Sequence, residues 1–78
     1  MLTAGQIRAA RGLLDWGQQK LADETKLSVQ TIKRMESARG PEGSTAANAD
    51  AVRRALEKGG VIFTIKDAQG GAGVRLRK

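Results

Sequence analysis

The stretch of sequence that decides the fold is Gln18-Gln19-Lys20-Leu21-Ala22-Asp23-Glu24-Thr25-Lys26-Leu27-Ser28-Val29-Gln30-Thr31-Ile32-Lys33-Arg34-Met35-Glu36. Its apolar spacing predicts two short helices, at about residues 18–25 and 29–36, joined by Lys26-Leu27-Ser28. Helices this short are not stable alone, so they must pack across each other and against neighbouring helices. This is the helix-turn-helix plan, whose second helix can enter the major groove of DNA.

The second of these helices has two chemically different faces. Ser28 is its predicted N-cap, and at about 100° per residue Ser28, Ile32 and Met35 fall on the side that seals the core. The opposite side carries no acidic residue and holds Val29, Gln30, Lys33 and Arg34. There Gln30 can read adenine, Arg34 guanine and Val29 a thymine methyl, while Lys33 can reach a base or a phosphate. An ordinary surface helix also shows a polar outer face, so the wheel alone leaves both interpretations open.

Two longer helices flank this pair. The first is predicted at about residues 4–14, where Thr3 is the N-cap and Gln6 completes a capping box. The fourth is predicted at about residues 45–58, with Ser44 as its cap, after a breaker-rich loop at residues 38–44. The apolar residues of their inner stripes are Ile7, Ala10 and Leu14 in the first helix and Ala49, Val52 and Leu56 in the fourth.

The chain changes period after Gly59-Gly60, which ends the fourth helix. Residues 61–65 are β-branched and aromatic, which favours a strand, and residues 74–77 alternate with period two. A glycine-rich connection lies between them, so we expect a β-hairpin. Residues 70–73 also resemble a phosphate-binding loop, but such loops open a helix and here a second strand follows.

Composition and charge narrow the class of protein. The chain has 78 residues, no cysteine, no histidine and a net charge of +6. One small domain without these residues has no thiolate zinc site, no disulfide and no histidine base, so we expect no enzyme, no metal and no cofactor. The positive charge indicates a polyanionic partner. We find no membrane span or secretory signal and expect a cytoplasmic protein.

The spaced set Gln18, Leu21-Ala22, Leu27-Ser28, Thr31-Ile32 and Glu36 resembles the Xre family, which comprises helix-turn-helix regulators of the Cro and lambda-repressor type. The resemblance covers about residues 3–58. It implies a mainly α fold with a four-helix, Cro/repressor-like helix-turn-helix domain at residues 1–58. Here a basic C-terminal β-hairpin at residues 59–78 stands where many members have a fifth helix. The implied function is that of a transcriptional regulator that binds specific double-stranded DNA.

The resemblance also implies roles for individual residues. The positions that face the DNA bases are Ser28, Val29, Gln30, Lys33 and Arg34, and those that contact phosphates are Gln18 and Arg39. Arg11 and Glu36 match an ion pair between the first and third helices. Lys26 stands where the family usually has a glycine in a left-handed conformation, which costs another residue about 1–2 kcal/mol unless the turn differs. Its side chain is a further candidate for a phosphate contact.

A single short recognition helix reads only a few base pairs, so we expect a homodimer on an inverted-repeat operator. We expect it to repress by blocking polymerase. The joint at Gly59-Gly60 predicts a hairpin that swings away from the helices and pairs with a second copy. Its apolar residues are Val61, Phe63, Ile65, Val74 and Leu76. In the alternative, the hairpin folds back on its own helices and the dimer uses the fourth helix.

Two other functions compete with this interpretation. The first is a helix-turn-helix antitoxin that also binds a toxin through its tail. The second is a basic module that binds nucleic acid or membranes without sequence preference. Residues 1–60 hold ten basic and seven acidic residues, a balance that argues against a purely electrostatic binder. The sequence does not identify the operator, the target genes or a regulating protein partner.

Overall fold

The computed structural model describes residues 2–37, 40, 45–64 and 72–77. These residues form four helices and one two-stranded antiparallel sheet. The helices are α1 (Ala4–Leu14), α2 (Gln18–Thr25), α3 (Val29–Met35) and α4 (Ala46–Gly59), and the strands are β1 (Val61–Thr64) and β2 (Gly73–Leu76). The predicted mainly helical fold with a C-terminal strand pair is confirmed.

Side-chain caps begin three of the helices. The predicted capping box of α1 is present, because Thr3 Oγ1 accepts from the Gln6 amide at 3.1 Å and Gln6 Oε1 accepts from the Thr3 amide at 2.9 Å. Ser28 Oγ likewise accepts from the Thr31 amide at 3.0 Å and begins α3. The prediction of Ser44 as the cap of α4 is wrong. Thr45 is the N-cap, and its Oγ1 accepts from the Asn48 amide at 3.1 Å. The spacing of apolar residues does not distinguish which of two adjacent hydroxyl residues caps the helix.

The helices and the first strand share one core. α1 packs against α4 and both strands, whereas α2 packs against α3 and α4. Among the described residues, the buried apolar side chains are Ile7, Ala10, Leu21, Ala22, Ile32, Met35, Val52, Leu56 and Val61. Each of the two short helices therefore obtains its stability from neighbours that enclose its apolar face. Leu14 and Ala49, predicted for the same stripes, are half-buried at the margin.

The strand pair packs on the helices of its own chain. Val61 is 2% exposed, and the register Val61↔Leu76 and Phe63↔Val74 places these four residues on one face. Phe63 and Val74 pack against the helical core. The expectation that the hairpin swings away is therefore wrong, because burial of Val61 holds it in place. The structure shows the first part of the alternative, in which the hairpin folds back on its own helices, whereas a dimer through the fourth helix stays a prediction.

Backbone hydrogen bonds fix the joint between α4 and the sheet. Gly60 has a φ of 123°, and its amide donates to the Leu56 and Glu57 carbonyls at the end of α4. The Gly60 carbonyl in turn accepts from the Arg77 amide at 2.7 Å, which extends the pairing beyond β2. Glycine is required here to make a sharp turn, and the turn is tied down at both ends.

The side chain of Gln6 fastens α1 to both strands. Its Nε2 atom donates to the Thr64 carbonyl at 3.0 Å and to the Gly73 carbonyl at 2.8 Å. Gln6 is 5% exposed. Because its Oε1 atom accepts from the Thr3 amide, both polar atoms of its side chain have hydrogen-bond partners. A buried amide satisfied in this way holds the far end of the strand pair against the start of α1.

Lys26 has the left-handed backbone that the turn was expected to require. Its φ is 61° and its ψ is 25°, and its amide donates to the Ala22 carbonyl to end α2. This confirms that a lysine occupies a conformation that favours glycine. Asp15 ends α1 in the same region, with a φ of 58°. Each of the two left-handed residues turns the chain between helices within a few residues.

Replacing Lys26 with glycine should stabilise the protein. We expect Lys26→Gly to raise the free energy of unfolding by about 0.5–1 kcal/mol in urea denaturation, because relief of the left-handed strain exceeds the added chain entropy. Lys33→Gly is the matched control, since Lys33 is an equally exposed lysine inside α3 and glycine there should cost about 1 kcal/mol. A loss of stability in both variants would contradict the assigned strain.

Candidate nucleic-acid interface

The connection between α2 and α3 is built from local contacts. After Lys26, the Leu27 amide donates to the Ala22 carbonyl at 3.2 Å and to Thr25 Oγ1 at 3.3 Å. Thr25 Oγ1 donates back to the Leu21 carbonyl at 2.8 Å, and the Leu27 side chain packs against the core. The turn is thus closed by its own backbone, and α3 leaves it at a set angle to α2.

α3 presents three polar side chains to solvent and seals the core with the opposite face. Ile32 and Met35 are buried, while Gln30, Lys33 and Arg34 are exposed. The prediction that Ser28 helps to seal the core is wrong, since its hydroxyl turns back at the surface to cap α3. Val29 is half-buried and packs against the core, so only part of its side chain remains on the outer side.

The basic side chains of the described residues differ in whether they have partners. Four form ion pairs, which are Arg11–Glu36, Lys20–Glu24, Arg53 with Asp50 and Glu57, and Arg54–Asp50. Three arginines donate to backbone carbonyls, namely Arg8, Arg75 and Arg77. Within the described part of the chain, the basic side chains without such a partner are Lys26, Lys33, Arg34 and Lys58.

Three of these four unpaired cations lie close together in the chain, on the turn before α3 and on α3 itself. With Gln30 they form a surface that we call the α3 surface, defined by Lys26, Gln30, Lys33 and Arg34. Between Thr25 and Ser37 the single carboxylate is that of Glu36, which is buried and paired with Arg11. The α3 surface therefore has a positive charge that no neighbouring acid on the same helix neutralises.

The predicted ion pair between Arg11 and Glu36 is present and forms two parallel hydrogen bonds. Arg11 Nε contacts Glu36 Oε2 at 2.7 Å, and Arg11 Nη2 contacts Oε1 at 2.7 Å. Its third nitrogen, Nη1, donates to the Trp16 carbonyl at 3.1 Å. Glu36 is only 6% exposed, and the hydrogen bond to it raises the pKa of Arg11 above the ordinary value. This bidentate geometry compensates the cost of burying the carboxylate.

Two further side chains converge on Glu36. Gln18 Nε2 donates to Glu36 Oε1 at 3.2 Å, so this residue, predicted to contact phosphate, lies half-buried against the ion pair. Its phosphate contact stays a prediction. Arg8, which sequence reasoning missed, donates from Nη1 to the Glu36 carbonyl at 2.5 Å and ties α1 to the end of α3. Its position one turn before Arg11 on α1 was the available signal.

Other predicted residues fall outside this surface or outside the described residues. Arg39 and Ile65 lie in the parts of the chain that the structure does not describe, so their predicted roles stay predictions. Arg53 and Arg54, two further basic residues, pair with carboxylates of α4. Val61, predicted to contact a second copy, is buried in its own core, which is a correction to the predicted dimer surface.

A groove of about 460 Å³ between the start of α1, α4 and β1 has an apolar floor that includes Leu2, Ala49 and Phe63. The charges at its rim already pair with one another.

In the described ranges no cluster of three or more carboxylate residues is placed to hold a metal, and no helix has the length and apolarity to cross a membrane.

Comparison with known protein-family models finds no matching family, and comparison with curated proteins finds no significant match.

Replacing Arg11 with alanine should destabilise the fold far more than replacing Arg53 with alanine. We expect Arg11→Ala to lower the free energy of unfolding by about 3 kcal/mol or more, because it leaves a buried carboxylate without its partner. Arg53→Ala should have a much smaller effect, since its ion pairs lie at the surface of α4. Thermal and urea denaturation of both variants measure the difference, and equal melting temperatures would contradict the buried character of the Arg11–Glu36 pair.

Proposed function

We propose that the chain is a sequence-specific regulator that binds double-stranded DNA by placing α3 in the major groove. The observation that carries this proposal is the α3 surface, where Lys33 and Arg34 on α3 and Lys26 on the preceding turn are exposed and unpaired. On α4, by contrast, Arg53 and Arg54 pair with carboxylates. Phosphates attract unpaired cations over the range of a Debye length, and amide and guanidinium groups are the ones that read base edges.

The shape of the surface supports the same conclusion. With its side chains α3 is about 10–12 Å in diameter, as α-helices generally are, which suits the width of a B-DNA major groove, about 12 Å. α2 packs against it and begins at Gln18, and its N-cap residue Gly17 provides no side-chain hydrogen bond, so the first amides of α2 are available to an anion. Gln18 stands at that same end. We assign α3 to the groove and the start of α2 to the phosphate backbone.

We further propose that the active species is a homodimer that represses transcription from an inverted-repeat operator in the cytoplasm. One helix of this length contacts too few base pairs for specific affinity, and a two-fold dimer doubles the site. Because Val61 is buried, the residues left for a partner are Leu76, which is 44% exposed, and the half-buried Phe63 and Val74. Leu13 on α1 is another exposed apolar side chain, at 43%.

DNA binding should depend on the unpaired cations and not on basic charge in general. We expect Lys33→Ala/Arg34→Ala to weaken binding to duplex DNA at least about tenfold and to reduce the salt dependence of the affinity. Arg53→Ala/Arg54→Ala removes the same charge from α4 and should change the affinity little. Fluorescence anisotropy with a labelled duplex at about 50 mM and 200 mM salt gives both quantities. Equal losses in the two double variants would count against α3 as the DNA-binding element.

The dimer should depend on the exposed end of β2. We expect Leu76→Glu to be monomeric at micromolar concentration in sedimentation or light scattering, with folding retained, because a partly exposed side chain accepts a charge in the monomer. Thr64→Glu is the matched control, an equal change of charge at an exposed strand residue that is not on the Val61–Leu76 face. Truncation of the chain after Gly60 is not a suitable test of the dimer interface, because it also removes the core residue Val61. A dimeric Leu76→Glu variant would overturn this interface.

A further inference from the structure

The structure reduces the five predicted base-reading residues to three. The Ser28 hydroxyl is engaged in the cap of α3, since it accepts from the Thr31 amide at 3.0 Å and lies 2.9 Å from Thr31 Oγ1. Val29 packs against the core and keeps little surface for a base. Gln30, Lys33 and Arg34 are exposed, and none of them has a side-chain partner within the described residues. These three side chains are therefore free to exchange water for DNA.

The three residues have distinct positions around α3. At about 100° per residue, Gln30 lies almost directly opposite the buried pair Ile32 and Met35, and Lys33 and Arg34 lie about 50° to either side of it. Along the axis, Arg34 is one turn beyond Gln30, a distance of about 6 Å. Because base pairs are about 3.4 Å apart, the two side chains reach bases one to two steps apart.

The chemistry of each side chain then assigns its partner. A glutamine amide pairs bidentately with the N6 and N7 edge of adenine, and an arginine fork pairs with O6 and N7 of guanine. Lysine has a compact charge without a fixed fork, which suits a phosphate at the edge of the groove. These assignments divide α3 into two base readers and one residue that contacts the backbone.

Building on the proposed function, we infer that the DNA half-site bound by one copy contains an adenine and a guanine within three consecutive base pairs. Gln30 reads the adenine and Arg34 the guanine. Lys33 supports binding through a phosphate and does not specify a base. The inference names the class of DNA that the proposed function requires and depends on the free side chains of α3.

The test is selection of bound duplexes from a random-sequence library by the full-length chain, followed by sequencing. We expect an enriched half-site in which adenine and guanine lie within three consecutive base pairs. Arg34→Ala should lose the preference for guanine and keep the preference for adenine. Gln30→Ala should lose the preference for adenine and keep the preference for guanine. Each variant should bind the selected duplex about 5- to 150-fold more weakly, the range that corresponds to one bidentate contact.

Lys33→Ala is the matched control on the same helix. It should weaken binding to the selected duplex and to a shuffled duplex by the same factor and leave the enriched sequence unchanged. A half-site that keeps both preferences in Gln30→Ala and Arg34→Ala would overturn the inference, as would duplex binding without enrichment. Absence of any duplex binding at low salt, in a chain that is folded by circular dichroism, would instead overturn the proposed function.

Discussion

The buried carboxylate of Glu36 is the constraint on which the rest of the structure depends. An unpaired charge in this position would cost several kcal/mol, so the chain must bring donors to it from other elements. Arg11 supplies donors from α1, and Gln18 supplies one from α2. The backbone carbonyl of Glu36 also accepts a hydrogen bond, from Arg8. One residue at the end of α3 thereby fixes the position of three helices relative to one another.

This arrangement also decides the charge on the outside of α3. Glu36, the acidic residue directly after α3 in the chain, is buried in its ion pair with Arg11. On α4, Asp50 forms ion pairs with Arg53 and Arg54. The cations that remain without partners in the described residues are concentrated at the turn and α3. A net charge of +6 has no direction by itself, but the unpaired cations of the described residues give a positive potential centred on one helix.

The fold was largely predictable, because short-range signals dominate it. Thr3 and Ser28 mark the starts of helices, and the apolar stripes mark the core. The left-handed conformation of Lys26 was predicted from the family resemblance and not from a local signal. The bidentate contact of Arg11 with Glu36 was predictable only through a family resemblance, since 25 residues separate the two in sequence. The place of the hairpin was not predictable. Its strand pattern is the same whether its apolar face meets its own helices or another copy, and the contact that decides, Gln6 with two strand carbonyls, has no local signature.

The Gln6 contact has a consequence for how the chain reaches its native state. Gln6 meets carbonyls that lie 58 and 67 residues away, so the sheet closes nearly the whole chain into a loop. Loop closure of that length is paid in entropy before any contact forms, and folding rates fall as contacts become less local. The protein should accordingly fold more slowly than a helical bundle of the same size. Since Val61 belongs to the core, the amide hydrogens of the strands should exchange with solvent only when the helices also unfold.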